Sequence, residues 1–310
     1  MWLLPVSCRA KRENAMPSQH AAPALVVTGT SSGIGRAVAA RAAKYGWSVF
    51  GSVRSEQDGA DLAREIDGAF TPLVFDVRDQ RAIEHAAAQV ADALGSRTLG
   101  GLVNNAGIGL AGPLLHQPIE EFEAVLDTNL TGTLRVTRAF APLLGTDPKR
   151  RGAKGRVINM SSIAGKVGQP FAGAYVASKH ALEGFSEVLR RELALYGIEV
   201  IVVAPATVDT AIWQEPESAI GRYATTDYGD AFDKGVRTIV AAARRHGMAA
   251  ESIGQIVMHA LASRRPRRRY APAQHPLLEQ ILPRMTPSRI SDFIVEHALG
   301  LVDRSRRSSR

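Results

Sequence analysis

The chain has 310 residues, 45% of them hydrophobic and 22% charged, which suits one generous domain or two small ones with a sizeable core. Its single cysteine, Cys8, excludes an internal disulfide, and no apolar run reaches the ~18 residues that a bilayer span needs, so a globular protein of the reduced cytoplasm is expected. The formal charge of +8 gathers in Lys149, Arg150 and Arg151, in Arg264, Arg265 and Arg267 to Arg269, and in Arg304, Arg306, Arg307 and Arg310; these runs lack interleaved aromatics and any reader motif, which argues against a nucleic-acid partner.

In chain order, residues 1–22 read as an untethered, disordered leader; Trp2 to Val6 is too short for a signal peptide, and Met16 is an alternative start. Ala24 to Thr28 is an apolar, β-branched run, followed by the glycine turn Gly29 to Gly35 and a helical pattern over Arg36 to Tyr45. Further strands are expected at Ser48 to Val53, Phe70 to Phe75, Leu99 to Asn104, Arg156 to Met160 and Val200 to Val203. Helical stretches such as Asp79 to Leu94, Glu120 to Leu144 and Gly173 to Tyr196 separate them. Alternation of this kind predicts one α/β domain over 23–302, a parallel sheet with helices on both faces. Arg269 to Ala271 is expected as a last strand, with an irregular helical stretch after it and a basic, disordered tail over 303–310. An irregular stretch over about 207–247 is expected to form a lid.

Two local patterns carry chemistry. Glycines 29, 33 and 35 between the first strand and a helix let backbone approach a pyrophosphate, whose charge then rests on helix N-terminal amides, although the spacing is not GxGxxG. Tyr175 and Lys179 stand four apart on one helix face. An ammonium about 4 Å from the phenol, at an effective dielectric near 20, is worth roughly 4 kcal/mol, enough to draw a group that titrates near ~10 towards neutrality.

Thr28-Gly29-xxx-Gly33-Ile34-Gly35, Asn104-Asn105-Ala106-Gly107, Asn129, the pair Ser161-Ser162 and Tyr175-xxx-Lys179 occur in the order and at the separations of the short-chain dehydrogenase/reductase family, which the chain resembles over roughly residues 24–300. The resemblance implies a single Rossmann-type, doubly wound sheet and hydride exchange between a nicotinamide and a substrate carbon. Within it, Ser162, thirteen residues before Tyr175, would bond the substrate oxygen and Tyr175 would move the proton. Lys179 would lower the tyrosine pKa and hold the ribose, and Asn129 would hold a water of the proton relay. Gly29, Ser31, Ser32, Gly33, Ile34 and Gly35 would cradle the pyrophosphate. Asp76 and Val77 would meet the adenine, Asn105, Ala106 and Gly107 would line the adenosine side, and Pro205, Val208 and Thr210 would lie by the nicotinamide. Ala206 departs from the family's Pro-Gly, a loss of freedom if that backbone requires positive φ.

Arg54, with no carboxylate at the end of the second strand, favours NADP(H), with NAD(H) the alternative, although Ser32 lacks the basic residue that some NADP-using relatives place there. Ile212, Trp213, Tyr223, Tyr228 and Phe232 could cover an apolar substrate or pack the lid onto the domain. Val167 to Phe171 and Leu110 to Leu115 should complete the pocket. Taken over its length, the chain is most similar to the steroid and retinol dehydrogenase branch, which implies a hydroxyl or ketone on a steroid-, retinoid- or lipid-like skeleton. Alternatives are a 3-oxoacyl-carrier-protein reductase and a non-catalytic NADP(H)-binding redox sensor. The eight histidines lack ligand spacing, so no catalytic metal is expected. Homodimers or homotetramers are common in the family.

Overall fold

The computed structural model describes residues 22–302; the expected tail, and the leader up to residue 21, lie outside the described residues. The chain alternates β1 (Ala24–Val27), α1 (Gly33–Lys44), β2 (Ser48–Val53), α2 (Glu56–Glu65), β3 (Phe70–Val74), α3 (Gln80–Leu94) and β4 (Gly101–Asn104). It continues through α4 (Ile119–Leu126), α5 (Gly132–Ala141), β5 (Arg156–Met160), α6 (Gly173–Leu193) and β6 (Glu199–Val203). The last stretch holds α7 (Gln214–Ser218), α8 (Gly229–His246), α9 (Ala250–Ala262), β7 (Arg269–Tyr270), α10 (Leu282–Met285) and α11 (Ser288–Leu299). All seven strands pair in parallel in the order β3-β2-β1-β4-β5-β6-β7. The winding therefore reverses between β1 and β4, and a crevice opens above their C-terminal ends, where ligands of open α/β sheets bind.

Alternate strand residues feed two cores. Val26, Leu102, Val157 and Val200 pack on one face with Ile83, Val136 and Phe140, whereas Leu25, Val27, Val103, Ile158 and Ile201 pack on the other with Val38, Ile253 and Val257. Helix starts follow local chemistry: Ser55 accepts from the Asp58 amide at 3.1 Å, and Asp79 from the Ala82 amide at 3.1 Å. Pro72 is tolerated because β3 is an edge strand.

Two helical expectations are refined. The expected run Glu120 to Leu144 is helical throughout, with Asp127–Thr131, between α4 and α5, wound as a π-turn, and it breaks at Gly145, whose φ is 114°. The expected irregular lid contains a regular helix, α8, whose residues Phe232, Val236, Ile239 and Val240 form an apolar stripe that packs with Tyr223, Phe171 and Trp213 into a small separate core.

Candidate active site

The glycine turn and the Asn-Asn-Ala-Gly segment come from distant sequence and are fused into one unit. Thr28 Oγ1 accepts from the amides of Asn105 (2.9 Å) and Ala106 (3.0 Å), while Asn105 Nδ2 donates to the carbonyls of Thr28 (2.9 Å) and Gly29 (3.0 Å). The Gly29 amide donates to Ser52 Oγ at 2.9 Å. Gly29 and Gly33 have φ of 69° and 55°, the left-handed region that glycine enters without cost, and a Cβ on Gly29 would sit 2.9 Å from Ala106 Cα. Ser32, the N-cap of α1, makes no side-chain capping bond, and the first turn of α1 carries no acidic residue. Its amides are thus left to a ligand, and a bound anion would meet their partial positive charge with no competing carboxylate.

Above this unit lies a cleft of about 560 Å³, lined by Gly29, Ser31, Ser32, Gly33, Ile34, Arg54, Asp76, Val77, Asn105, Ala106, Gly107, Tyr175, Lys179 and Thr210 among others. Five expected site residues lie outside its lining. Gly35 packs behind it, against Gly29 and Asn105. The Val208 side chain is buried in the core and its carbonyl accepts from Trp213 Nε1 at 2.9 Å; the Pro205 carbonyl accepts from the Ile163 amide at 2.9 Å. Ser162 stands beside the Tyr175 phenol, and Asn129 is bonded to Ile108. Ala206 needs no positive φ, since Phe171 is the sole non-glycine residue with one among the described residues.

Tyr175 and Lys179 rise from α6 on the same face. The Tyr175 phenol is hydrogen-bonded to Ser162, whose Oγ also accepts from the Ala164 amide at 3.2 Å. Lys179, 5% exposed, donates to the Met160 carbonyl at 2.9 Å, and its Nζ stands 5.5 Å from the Tyr175 ring centroid. Burial brings Lys179 down to about 8, and burial pushes the Tyr175 phenol up, opposed by its bond to Ser162. This corrects the expectation of a tyrosine pKa lowered by a lysine about 4 Å away. The ammonium is turned to a carbonyl and faces the ring, so desolvation of the phenol prevails.

Asn129, in the π-turn between α4 and α5, is clamped. Its Nδ2 donates to the Ile108 carbonyl (3.0 Å) and to Ser178 Oγ (3.0 Å), and its Oδ1 accepts from the Ile108 amide (2.9 Å). Both amide protons are therefore committed to fixing the loop after β4, which leaves no side-chain donor for a water. Beneath the site, Asn104 donates to Asn159 (2.9 Å) and Thr137 (3.0 Å), and Asn159 to Ser186 (2.9 Å), a buried polar chain that ties β4, β5, α5 and α6 together.

At the other end of the cleft, Arg54 is exposed at the end of β2. Asp76 is gripped by Arg78 through Nε (3.0 Å) and Nη2 (2.8 Å), which hold its carboxyl below the usual carboxylate range, and the charge of Arg54 acts in the same direction. Near Tyr175 the wall is apolar: a Cβ on Gly109 would lie 3.4 Å from Ile212 and 3.7 Å from the Tyr175 ring. Of the apolar set assigned to the lid, Ile212 alone reaches the cleft, Trp213, Tyr223 and Phe232 pack the lid, and Tyr228 stacks on His116 and Phe171. Sequence reasoning missed Ser52, Arg78, Thr128, Gln214 and Glu215, which line the cleft; each lies within three residues of the expected Arg54, Asp76, Asn129 or Ile212, a local signal.

Comparison with known proteins agrees with this geometry. The short chain dehydrogenase family model matches residues 23–220. A protein of Ornithobacterium rhinotracheale, an NADPH-dependent 3-dehydrocapnine reductase, is 36% identical over 272 residues, covering 87% of this chain and 94% of its own. Mouse retinol dehydrogenase 5 is 29% identical over 314 residues, covering 95% of this chain and 92% of its own. Among solved structures, a single-substitution variant of actinorhodin polyketide ketoreductase with NADPH superposes with a TM-score of 0.68 at 29% identity, covering 82% of this chain and 97% of that one. The parallel sheet, the glycine unit above its switch point and the family match over residues 23–220 together place the chain in the short-chain dehydrogenase/reductase family.

Proposed function

We propose that the protein is an NADP(H)-dependent reductase of a ketone carried on a bulky apolar, lipid-like skeleton. The observation that carries the reading is the hydrogen-bonded pair Tyr175 and Ser162, set at an apolar wall in the same cleft as the uncapped amides of α1. When bound, the nicotinamide supplies hydride to the carbonyl carbon. Tyr175, kept protonated by burial, donates its proton to the carbonyl oxygen, and Ser162 orients that oxygen by a second hydrogen bond. Lys179, charged below about 8, stabilises the phenolate that remains until a solvent proton replaces the one given up. Asn129 positions these groups through Ile108 and Ser178.

The residues present fit the dinucleotide: the glycine unit and the open amides of α1 for the pyrophosphate, Asp76 and Val77 for the adenine side, Thr210 and Lys179 for the nicotinamide half. Arg54, with no carboxylate at the end of β2, meets a 2′-phosphate, and this supports NADP(H) over NAD(H). The names of the reductase and ketoreductase relatives support the reductive direction, and that of the retinol dehydrogenase supports an apolar substrate.

The test is oxidation of NADPH and NADH by purified protein with long-chain aliphatic ketones, steroid ketones, retinaldehyde and 3-oxoacyl thioesters. Turnover of an apolar ketone or aldehyde with NADPH is expected. Turnover confined to acyl thioesters would replace the substrate class with a carrier-bound acyl chain, and NADPH binding with no turnover on any of them would favour a redox sensor.

A further inference from the structure

The last helix wears its apolar stripe outward. In α11, Ser291, Val295 and Leu299 are half-buried, and Leu299 lies beside Gly235 of α8. Ile290, Phe293 and Ile294, spaced i, i+3 and i+4, are 53%, 60% and 58% exposed. The preceding turn and α10 add Leu277, Leu282 and Met285, exposed by 65%, 52% and 76%. An ordinary surface helix of a globular protein does the reverse, so this patch calls for an occupant.

Charge identifies it. Residues 264–310 carry eleven arginines against four carboxylates, nearly all of the formal +8, and Arg264, Arg265, Arg267 and Arg268 are exposed. Two copies meeting through this patch would bring two strongly positive ends together. Exposed Arg289 on α11 itself, and the arginines at 304, 306 and 307 that follow α11 in sequence, instead match the stripe to an anionic bilayer, where apolar groups sink below the headgroups and guanidinium groups stay with the phosphates.

Location supplies a use. Leu299 of α11 approaches Gly235 of α8 on the side where Phe171 also lies: a Cβ there would be 3.4 Å from Leu299 and 3.5 Å from Phe171. Phe171 belongs to the loop between Ser162 and Tyr175, and its carbonyl accepts from the Gly112 amide at 2.8 Å. Through Leu299 and Phe171, the inner side of α11 meets the loop that runs between Ser162 and Tyr175. We infer that α10 and α11 form a docking face for an anionic lipid bilayer. Delivery of an apolar substrate through that contact rests on the reductase reading; the docking itself does not.

The test is co-sedimentation of the full chain with vesicles of phosphatidylcholine alone and with about 30% phosphatidylglycerol, at low and high salt. Pelleting with the anionic vesicles, weakened by salt, is expected. The triple substitution Ile290→Ser, Phe293→Ser, Ile294→Ser alters exposed positions, so its melting temperature should hold while vesicle partition falls at least tenfold. Equal pelleting of triple variant and parent, or no preference for anionic vesicles, would overturn the proposal. So would a vesicle-free dimer that the triple variant dissociates, since the patch would then belong to a second copy. Pelleting without turnover of any ketone would leave the docking standing and reject the reductase; turnover without pelleting would do the opposite.

Discussion

Gly35→Ala isolates the fit between the glycine turn and the loop after β4. Gly35 is in α1 with ordinary helical φ, so alanine brings no backbone strain and the whole effect is spatial. The new methyl would be 2.5 Å from Asn105 Nδ2, about 1 Å inside the 3.4 Å limit of ordinary contact, and closer still to the Gly29 carbonyl. Asn105 must retreat, which stretches its bonds to the Thr28 and Gly29 carbonyls, now 2.9 and 3.0 Å. Overpacking of about 1–3 kcal/mol plus two weakened bonds at roughly 0.5–1.5 kcal/mol each centres near ~4 kcal/mol. At roughly 2–4 °C per kcal/mol, the melting temperature should fall by about 8–16 °C. Displacement of the Gly29 carbonyl should also weaken NADPH binding at least tenfold, read by quenching of intrinsic fluorescence. Gly184→Ala is the matched control: it lies within α6 with nothing inside 4 Å of its Cβ, so it should gain about 1 kcal/mol and raise the melting temperature by a few degrees. A Gly35→Ala protein that melts within 2 °C of the parent and binds NADPH equally well would refute the spatial account.

Three further outcomes follow from charge. Arg54→Ala should weaken NADPH binding at least tenfold while changing NADH binding less than threefold, measured by titration of both; equal losses would reject the 2′-phosphate assignment. Arg269→Met should cost about 3 kcal/mol by thermal melting, because it leaves Glu183, 9% exposed on α6, with only Lys166 at 3.8 Å; an unchanged melting temperature would show that the pair contributes nothing. Lys179 gives a pH signature with opposite signs. Its charge is present below about 8 and lost above, so kcat/KM should fall as pH rises through that value. Because its folded pKa lies below its unfolded one, near ~10.4, the unfolded chain binds more protons in between, and stability should rise with pH across that window. Lys179→Met should flatten both trends, and a kcat/KM level through pH 8 in the parent would contradict the role.

The sequence revealed what local pattern encodes. Ser48–Val53 and Arg156–Met160 are found at the expected bounds because each is a short buried stretch carrying two β-branched residues, Val49 and Val53 in one and Val157 and Ile158 in the other. The choice of Ser162 over Ser161 comes from the family resemblance, whose separation from the tyrosine it matches, and not from any local pattern. Contacts between remote segments stayed hidden: nothing near Gly29 announces that Ser52 will accept its amide, and nothing near Asn129 announces that Ile108 and Ser178 will take both its amide protons. Helix α8 is not legible in the sequence because Gly229 and Gly235 lower the helix propensity of its first turns. For α11, the pattern Ile290, Phe293, Ile294 tells that a stripe exists; which way it faces is decided by Leu299, at the far end of the helix, lying beside Gly235 of α8.

Transfer of the proton by Tyr175 in a ketone reduction is read from single-substrate turnover with NADPH by the parent and by Tyr175→Phe, with NADPH affinity measured on the same samples. The variant should bind NADPH within a few-fold of the parent and reduce nothing measurable; a variant that keeps both affinity and turnover would remove Tyr175 from the reaction.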